Sequence, residues 1–277
     1  MDDQSEEELL VAARAGEPGA LDALIARCQP RVYRFGMRMC RDEEDARDVL
    51  QETLIALARS VRDIRGTSRL STWLYSVARS FCIKQRRKGR LLQDSSASQS
   101  PADHADDHHA DDTRGPEETL LAREMEAGLR RALQALSPEH REVIILRDGE
   151  GLTAPEVAEV LKTSVEAVKS RLHRARISLR EQLAPVIGAD LAARPPERCP
   201  DILTTYSRYL EDEISADFCR TMEDHLAGCR HCTSTCDSLK RALAVCGAPS
   251  HDAVPAAIQD AVRQALRDAE KTLKGSE

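Results

Sequence analysis

"LTAPEVAEVLKTSVEAVKSRLHRARISLREQL", residues 152–183, holds two helical patterns separated by almost nothing. Thr153, followed by Ala154, Pro155 and Glu156, has the Thr-to-Glu spacing of a capping box. The helix it opens is short, about eight residues, or a little over two turns at 3.6 residues each. Lys162-Thr163 then leads to Ser164, a good N-cap for a second, longer helix. Val157, Ala158, Val160 and Leu161 on the first can pack against Val165, Val168 and Leu172 on the second. A pair joined this tightly is a helix-turn-helix, whose second helix enters the DNA major groove. Lys169, Ser170, Arg171, His173 and Arg174 fall on the polar side of that second helix. Arg can grip guanine edges there, and Lys and Ser can hold phosphates. The blander alternative is a helical hairpin with a solvated basic face. The turn, the N-cap and the basic stripe together favour DNA reading.

The charge distribution agrees. The 277 residues carry a net charge of −7, which alone speaks against DNA binding. Residues 61–90, however, hold nine Lys/Arg against one acid, and residues 164–180 five against one. The compensating acids sit between them, ten against two basic residues over 91–127. Two basic islands joined by an acidic tract predict two phosphate-facing surfaces on a charged connector. With 3% aromatic residues, the core must be built from Leu, Ala, Val and Ile, which suits several small helical units. The expected fold is all-α. Residues 5–91 form one helical domain, 92–118 a flexible acidic linker, 119–186 the helix-turn-helix domain and 199–277 a third helical block. His104, His108 and His109 in the linker read as solvated rather than metal-binding. Ser137-Pro138 opens a helix as N-cap and N1, and Pro195-Pro196 breaks helical continuation between the second and third blocks.

Of nine Cys, six (Cys199, Cys219, Cys229, Cys232, Cys236, Cys246) fall in the last third. The acidic N-terminus has no secretory pattern, and no stretch approaches the roughly 20 apolar residues of a membrane span. A cytoplasmic protein without membrane association is therefore expected, and in it clustered thiols mean metal or redox chemistry rather than staples. His225-x3-Cys229 places two ligands one helical turn apart, and Cys229-x2-Cys232 brings a third, as tetrahedral Zn(II) requires. Cys199 is the candidate fourth. His231 reads as exposed; Cys28, Cys40 and Cys82 read as core. No triad, phosphate loop or paired carboxylates suggest an enzyme, and no catalytic residue is assigned.

DARDVLQETLIALARSV (45–61) followed by RGTSRLSTWLYSVARSFCIKQRRKGR (65–90) resembles the extracytoplasmic-function sigma factors, the small initiation subunits of bacterial RNA polymerase. Leu136-Ser137 and Val168-Lys169-Ser170-Arg171-Leu172 with Arg174-Ala175-Arg176 fit the same family, so the resemblance covers about residues 18–90 and 119–185. It implies core RNA polymerase and promoter DNA as partners. Asp48, Gln51 and Glu52 would dock on the polymerase, and the helix-turn-helix would bind the −35 element. The loop at 64–70 and the helix after it would meet the −10 element. There Arg69, Arg79, Lys84, Arg86 and Arg87 would face phosphates, and Ser71, Thr72 and Ser80 an unstacked base. Trp73, in an apolar run, is expected in the core. Three positions depart from the family: Ile64 where Phe is usual, Ser80 for Asn and Lys84 for Asp. The linker either enters the polymerase's RNA path or serves as a passive tether.

The Cys block resembles the zinc-binding anti-sigma domain, fused here to the sigma factor. Its surplus Cys219, Cys236 and Cys246 resemble the metal-responsive CorE-type sigma factors. That resemblance implies Zn(II) as resident ion, Cu or Cd as possible sensed metals, and no separate anti-sigma factor. Val254, Ile258, Val262 and Leu266 form an amphipathic tail that covers either the sigma domains or its own block. Two rivals to metal response are a sigma factor with a purely structural zinc or a thiol redox switch, and a stand-alone helix-turn-helix regulator.

Overall fold

The computed structural model describes residues 5–40, 42–64, 67–95, 116–191, 196–248 and 254–274. All regular structure among them is helical, and the helices divide into two units. The first contains α1 (Glu6–Ala15), α2 (Ala20–Met39), α3 (Glu43–Ser60), α4 (Thr67–Ser95) and the C-terminal α12 (Ala256–Lys274). The second contains α5 (Pro116–Ala135), α6 (Pro138–Ile144), a π-helical turn (Ile145–Gly149), α7 (Ala154–Leu161), α8 (Val165–Ile187), α9 (Ile202–Tyr209), α10 (Ala216–Gly228) and α11 (Arg230–Gly247).

In the first unit, Ser5 and Glu8 close a capping box that starts α1, and Gly16, at φ 78°, ends it in the left-handed conformation. Asp42 caps α3 through the Asp45 amide. The α2–α3 packing is close enough that a Cβ on Gly36 would stand 3.3 Å from the Cα, Cβ and O of Ala46. Val49, Leu50, Leu54 and Leu57 of α3 fill the core with Phe35, Leu70 and Leu74. Each buried side chain of this size contributes roughly 1.5–3 kcal/mol. The amphipathic tail forms α12 and packs on α3 with Val254, Ile258, Val262 and Leu266 buried.

In the second unit, the local signals act as read. Ser137 caps α6 with Pro138 at its start. Thr153 and Glu156 close the capping box of α7. Lys162 turns left-handed at φ 54° to end α7, and Ser164 caps α8. Val168, Leu172, Ala175, Leu179 and Leu183 of α8 are fully buried. The Cys-rich block lies on this helix, since α9 and α11 both pack against α8.

The expected boundaries therefore need correction. Residues 199–277 do not form one separate unit: α9–α11 belong to the same compact unit as the helix-turn-helix, and α12 joins the first unit. The linker proposed at 92–118 loses both ends, because α4 runs to Ser95 and α5 begins at Pro116. Its three His and Pro195 lie outside the described residues.

Candidate functional site: a Cys/His cluster on a helix-turn-helix

Four donors converge at the base of α9. Cys199 lies in the loop before α9, and Asp201 caps that helix through the Thr204 amide. His225 is on the last turn of α10, Cys229 at the extended joint between α10 and α11, and Cys232 in the first turn of α11. Their ligand atoms all lie within 4.8 Å of one another. The Cys199 and Cys229 sulfurs are 3.7 Å apart, and His225 Nε2 is 3.3 Å from Cys232 Sγ. A tetrahedral zinc with Zn–S bonds of about 2.3 Å sets sulfurs about 3.8 Å apart, so the cluster fits that ion with little movement. Burial pushes the Cys232 thiol up to about 12 and raises Cys199. The Cys232 amide, at the start of α11, lowers Cys229.

The other three thiols expected as ligands do not join this cluster. Cys236 sits one turn beyond Cys232 on α11, in an apolar cluster with Ile202. It shares a cleft with Cys219 and Met222 of α10 and Tyr206 of α9. Cys246 is fully buried near the other end of α11. Fourteen helical steps separate it from Cys232, about 21 Å at 1.5 Å per residue, so the two cannot share an ion. The one-turn pairing of His225 with Cys229 is also corrected, because α10 ends at Gly228 and Cys229 reaches the site from the joint. His231 is half-buried rather than exposed and lines a cleft with Cys199 and Cys232. Cys28, Cys40 and Cys82 are buried in the first unit as expected.

A second arrangement, unread in the sequence, ties the Cys block to α8. Lys169, His173, Arg176 and Arg180 recur at spacings of four, three and four, and so form one face of that helix. Arg176 is fully buried. It donates to both oxygens of Asp148 in the π-helical turn, at 2.8 and 2.7 Å. It also reaches Glu211 Oε1 at 2.7 Å and the carbonyl and hydroxyl of Ser207, each at 3.1 Å. Burial works against its charge, but Asp148 and Glu211 outweigh this and keep the guanidinium protonated. Arg147 binds Glu211 Oε2 at 3.3 Å, and Arg180 donates to Ser238 Oγ of α11. At the DNA-reading end, Lys169 pairs with Glu213 at 2.9 Å, and His173 Nε2 meets Thr204 Oγ1 at 3.2 Å. The available signal was the three-residue acidic run Glu211-Asp212-Glu213 opposite a cationic stripe.

The remaining candidates divide. Ser170 and Arg174 are exposed, and Arg171 pairs loosely with Glu139 at 3.6 Å. On α4, Ser80, Lys84 and Arg87 form an exposed stripe, while Ser71, Arg79 and Arg86 are half-buried. Thr72 is 4% exposed and cannot reach a base, so that expectation is corrected. Trp73 is half-buried rather than a core residue, because α4 turns it toward the rim. The Arg69 side chain lies outside the described residues. Asp48 and Glu52 of α3 are exposed and Gln51 half-buried; Asp48 accepts a 2.8 Å bond from Gln85.

The first unit carries the Sigma-70 region 2 pattern over residues 24–91, and the second carries Sigma-70, region 4 over residues 127–179. The RNA polymerase sigma-H factor of Pseudomonas aeruginosa is 30% identical over 186 residues, 66% of this chain and 96% of that protein. The chain therefore belongs to the extracytoplasmic-function sigma factors, which direct RNA polymerase to initiate transcription. Two solved structures are similar at 25% identity. One is the sigma factor RpoE of Bartonella quintana in complex with the anti-sigma factor NepR, with a TM-score of 0.47 over 60% of this chain and 97% of that one. The other is CnrH in complex with the cytosolic domain of CnrY, with a TM-score of 0.46 over 66% and 99%. Both were solved with a partner protein bound, which overturns the expectation that this chain has no separate anti-sigma factor. That expectation rested on the resemblance of the Cys block to the CorE-type sigma factors. Among the described residues no helix is long and apolar enough to cross a membrane.

Proposed function

We propose that this sigma factor is regulated by its own Cys-rich block in response to metal. Cys199, His225, Cys229 and Cys232 hold a zinc ion that ties the base of α9 to α10 and α11. The observation that carries the reading is the convergence of these four donors within 4.8 Å. Zinc supplies structure there, not chemistry, because four protein ligands leave it no open position. Thiolate-rich surroundings also suit Cu(I) and Cd(II). Cys236, adjoining the site, and Cys219 across the cleft are the thiols that make the response more than structural. The test is reconstituted transcription with core polymerase, with Zn, Cu and Cd titrated against wild type and Cys236→Ala. Transcription that changes with metal in wild type and responds less in the variant supports the reading. Metal-independent transcription by both proteins refutes it. The 3.7 Å approach of Cys199 and Cys229 favours one rival, a thiol switch closed by oxidation; loss of activity under oxidant without any metal response would select it.

A further inference from the structure

We propose that the acidic turn between α9 and α10 stands in for DNA phosphate and keeps one face of the recognition helix from DNA. The proposal rests on α8 being the DNA-reading helix, which lies largely within the region 4 match. It does not depend on which metal the Cys cluster holds.

Lys169 is the fifth residue of α8, in the N-terminal part that a helix-turn-helix presents to base edges and adjacent phosphates. Its ammonium meets the Glu213 carboxylate at 2.9 Å and the Glu211 carbonyl at 3.5 Å. A carboxylate at that distance offers the same charge-assisted contact as a phosphate oxygen. The turn is built to hold this position. The amides of Glu211 and Glu213 both bond to the Arg208 carbonyl, at 3.1 and 3.0 Å. Asp212 adopts a left-handed φ of 56°, uncommon for a residue with a side chain. The Glu211 side chain is anchored between Arg176 and Arg147, and Arg147 also holds the Leu210 carbonyl at 3.2 Å. One turn along α8, the His173 ring is closed off by Thr204, and its Nδ1 is buried without a partner. Ser170 and Arg174, on the neighbouring face, stay exposed. The C-terminal extension thus covers one half of the reading surface and leaves the other open.

The weak point of this mask is the pair between Lys169 and Glu213, whose side chains are 28% and 32% exposed. The test measures binding of the full chain to a random-sequence 30-base-pair duplex by fluorescence anisotropy, across a fourfold range of KCl. Each additional phosphate contact steepens the salt dependence by about 0.9 in log–log slope, roughly 3.5-fold over that range. Glu213→Gln is expected to bind more tightly at low salt and to show this steeper slope. Glu223→Gln, which removes an exposed acid on α10, is the control for net charge. Lys169→Gln should resemble wild type, and Glu213→Gln with Lys169→Gln should lose the gain. Arg174→Gln should weaken binding. A Glu213→Gln slope equal to that of Glu223→Gln, or a gain that survives Lys169→Gln, overturns the proposal. If Arg174→Gln is silent, the DNA-reading role of α8 itself fails and the mask fails with it.

Discussion

Replacing Arg176 with Met keeps much of the side chain's volume and removes its charge. Wild-type Arg176 is wholly enclosed, and its two carboxylate partners are nearly so, with side-chain exposures of 10% for Asp148 and 4% for Glu211. Arg176→Met leaves two buried acids without their common counter-charge. Breaking a buried pair by removing one partner costs about 3–5 kcal/mol. Because Glu211 and Ser207 belong to the α9 segment, that cost falls on the docking of α9 against α8. At about 1.4 kcal/mol per decade, docking weakens by roughly two to three and a half orders of magnitude. Hydrogen exchange followed by mass spectrometry reads this directly. Amides of α9 and of residues 210–213 should exchange faster by that factor, while those of α3, in the other unit, should not change. Adding Asp148→Asn and Glu211→Gln should recover more than half of the loss, because the stranded charges are then gone. An acceleration below tenfold would refute the account. So would failure of the neutralising pair to recover protection, since the cost would then be lost packing rather than unpaired charge.

Two further outcomes follow from the geometry. Gly36→Ala should destabilise the first unit by up to about 2 kcal/mol, since the new Cβ meets backbone atoms of Ala46 at 3.3 Å, an overpacking cost of about 1–3 kcal/mol set against the roughly 1 kcal/mol gained in helix propensity. Urea unfolding followed by Trp73, the only tryptophan, measures it, and a stabilised Gly36→Ala would contradict the α2–α3 packing. Metal uptake at the Cys cluster should release at least two protons near pH 7, because Cys232 is pushed up to about 12 and Cys199 is raised above its ordinary value. Apparent zinc affinity should accordingly rise with pH, about a hundredfold per unit, and calorimetry in buffers of different ionisation enthalpy would show it; a pH-independent affinity would exclude these two thiols as ligands.

The sequence made the local features legible and missed those that depend on distant partners. Thr153 with Glu156, Lys162 and Ser164 specify the helix-turn-helix within a dozen residues, because caps and turns are decided by neighbours. The converging donors His225, Cys229 and Cys232 were visible for the same reason. Their exclusion of Cys246 was not, because a run of cysteines does not show that an unbroken α11 holds its two ends about 21 Å apart. Thr72 and Trp73 were each assigned to the wrong environment. In an apolar run, the face that turns inward is set by what packs on α4, and Thr72, not Trp73, took the inner place. The anchoring of Arg176 was out of reach for a further reason. Its carboxylates lie 28 and 35 residues away, and Asp148 is aimed at it by a π-helical turn that carries no clear sequence mark.

These contacts divide the hold of the C-terminal extension on α8 into two strengths. The Lys169–Glu213 pair is partly solvated, and such pairs are worth about 0–1 kcal/mol. Neutralising Glu213 therefore frees Lys169 without moving α9. The Arg176 contacts are buried, and disrupting them costs several times more, so α9 itself does not yield to DNA alone. In the proposed metal site, Cys199 meets the other three donors while α9 is docked. An ion that prefers this four-donor set therefore favours docked α9, and docking raises affinity for that ion by the same factor. An ion that draws Cys199 away, or is satisfied without it, reverses the sign. Under the proposed metal response, its direction would be set by whether Cys199 stays among the donors, and Cys199→Ser should uncouple metal from DNA binding while leaving α8 intact.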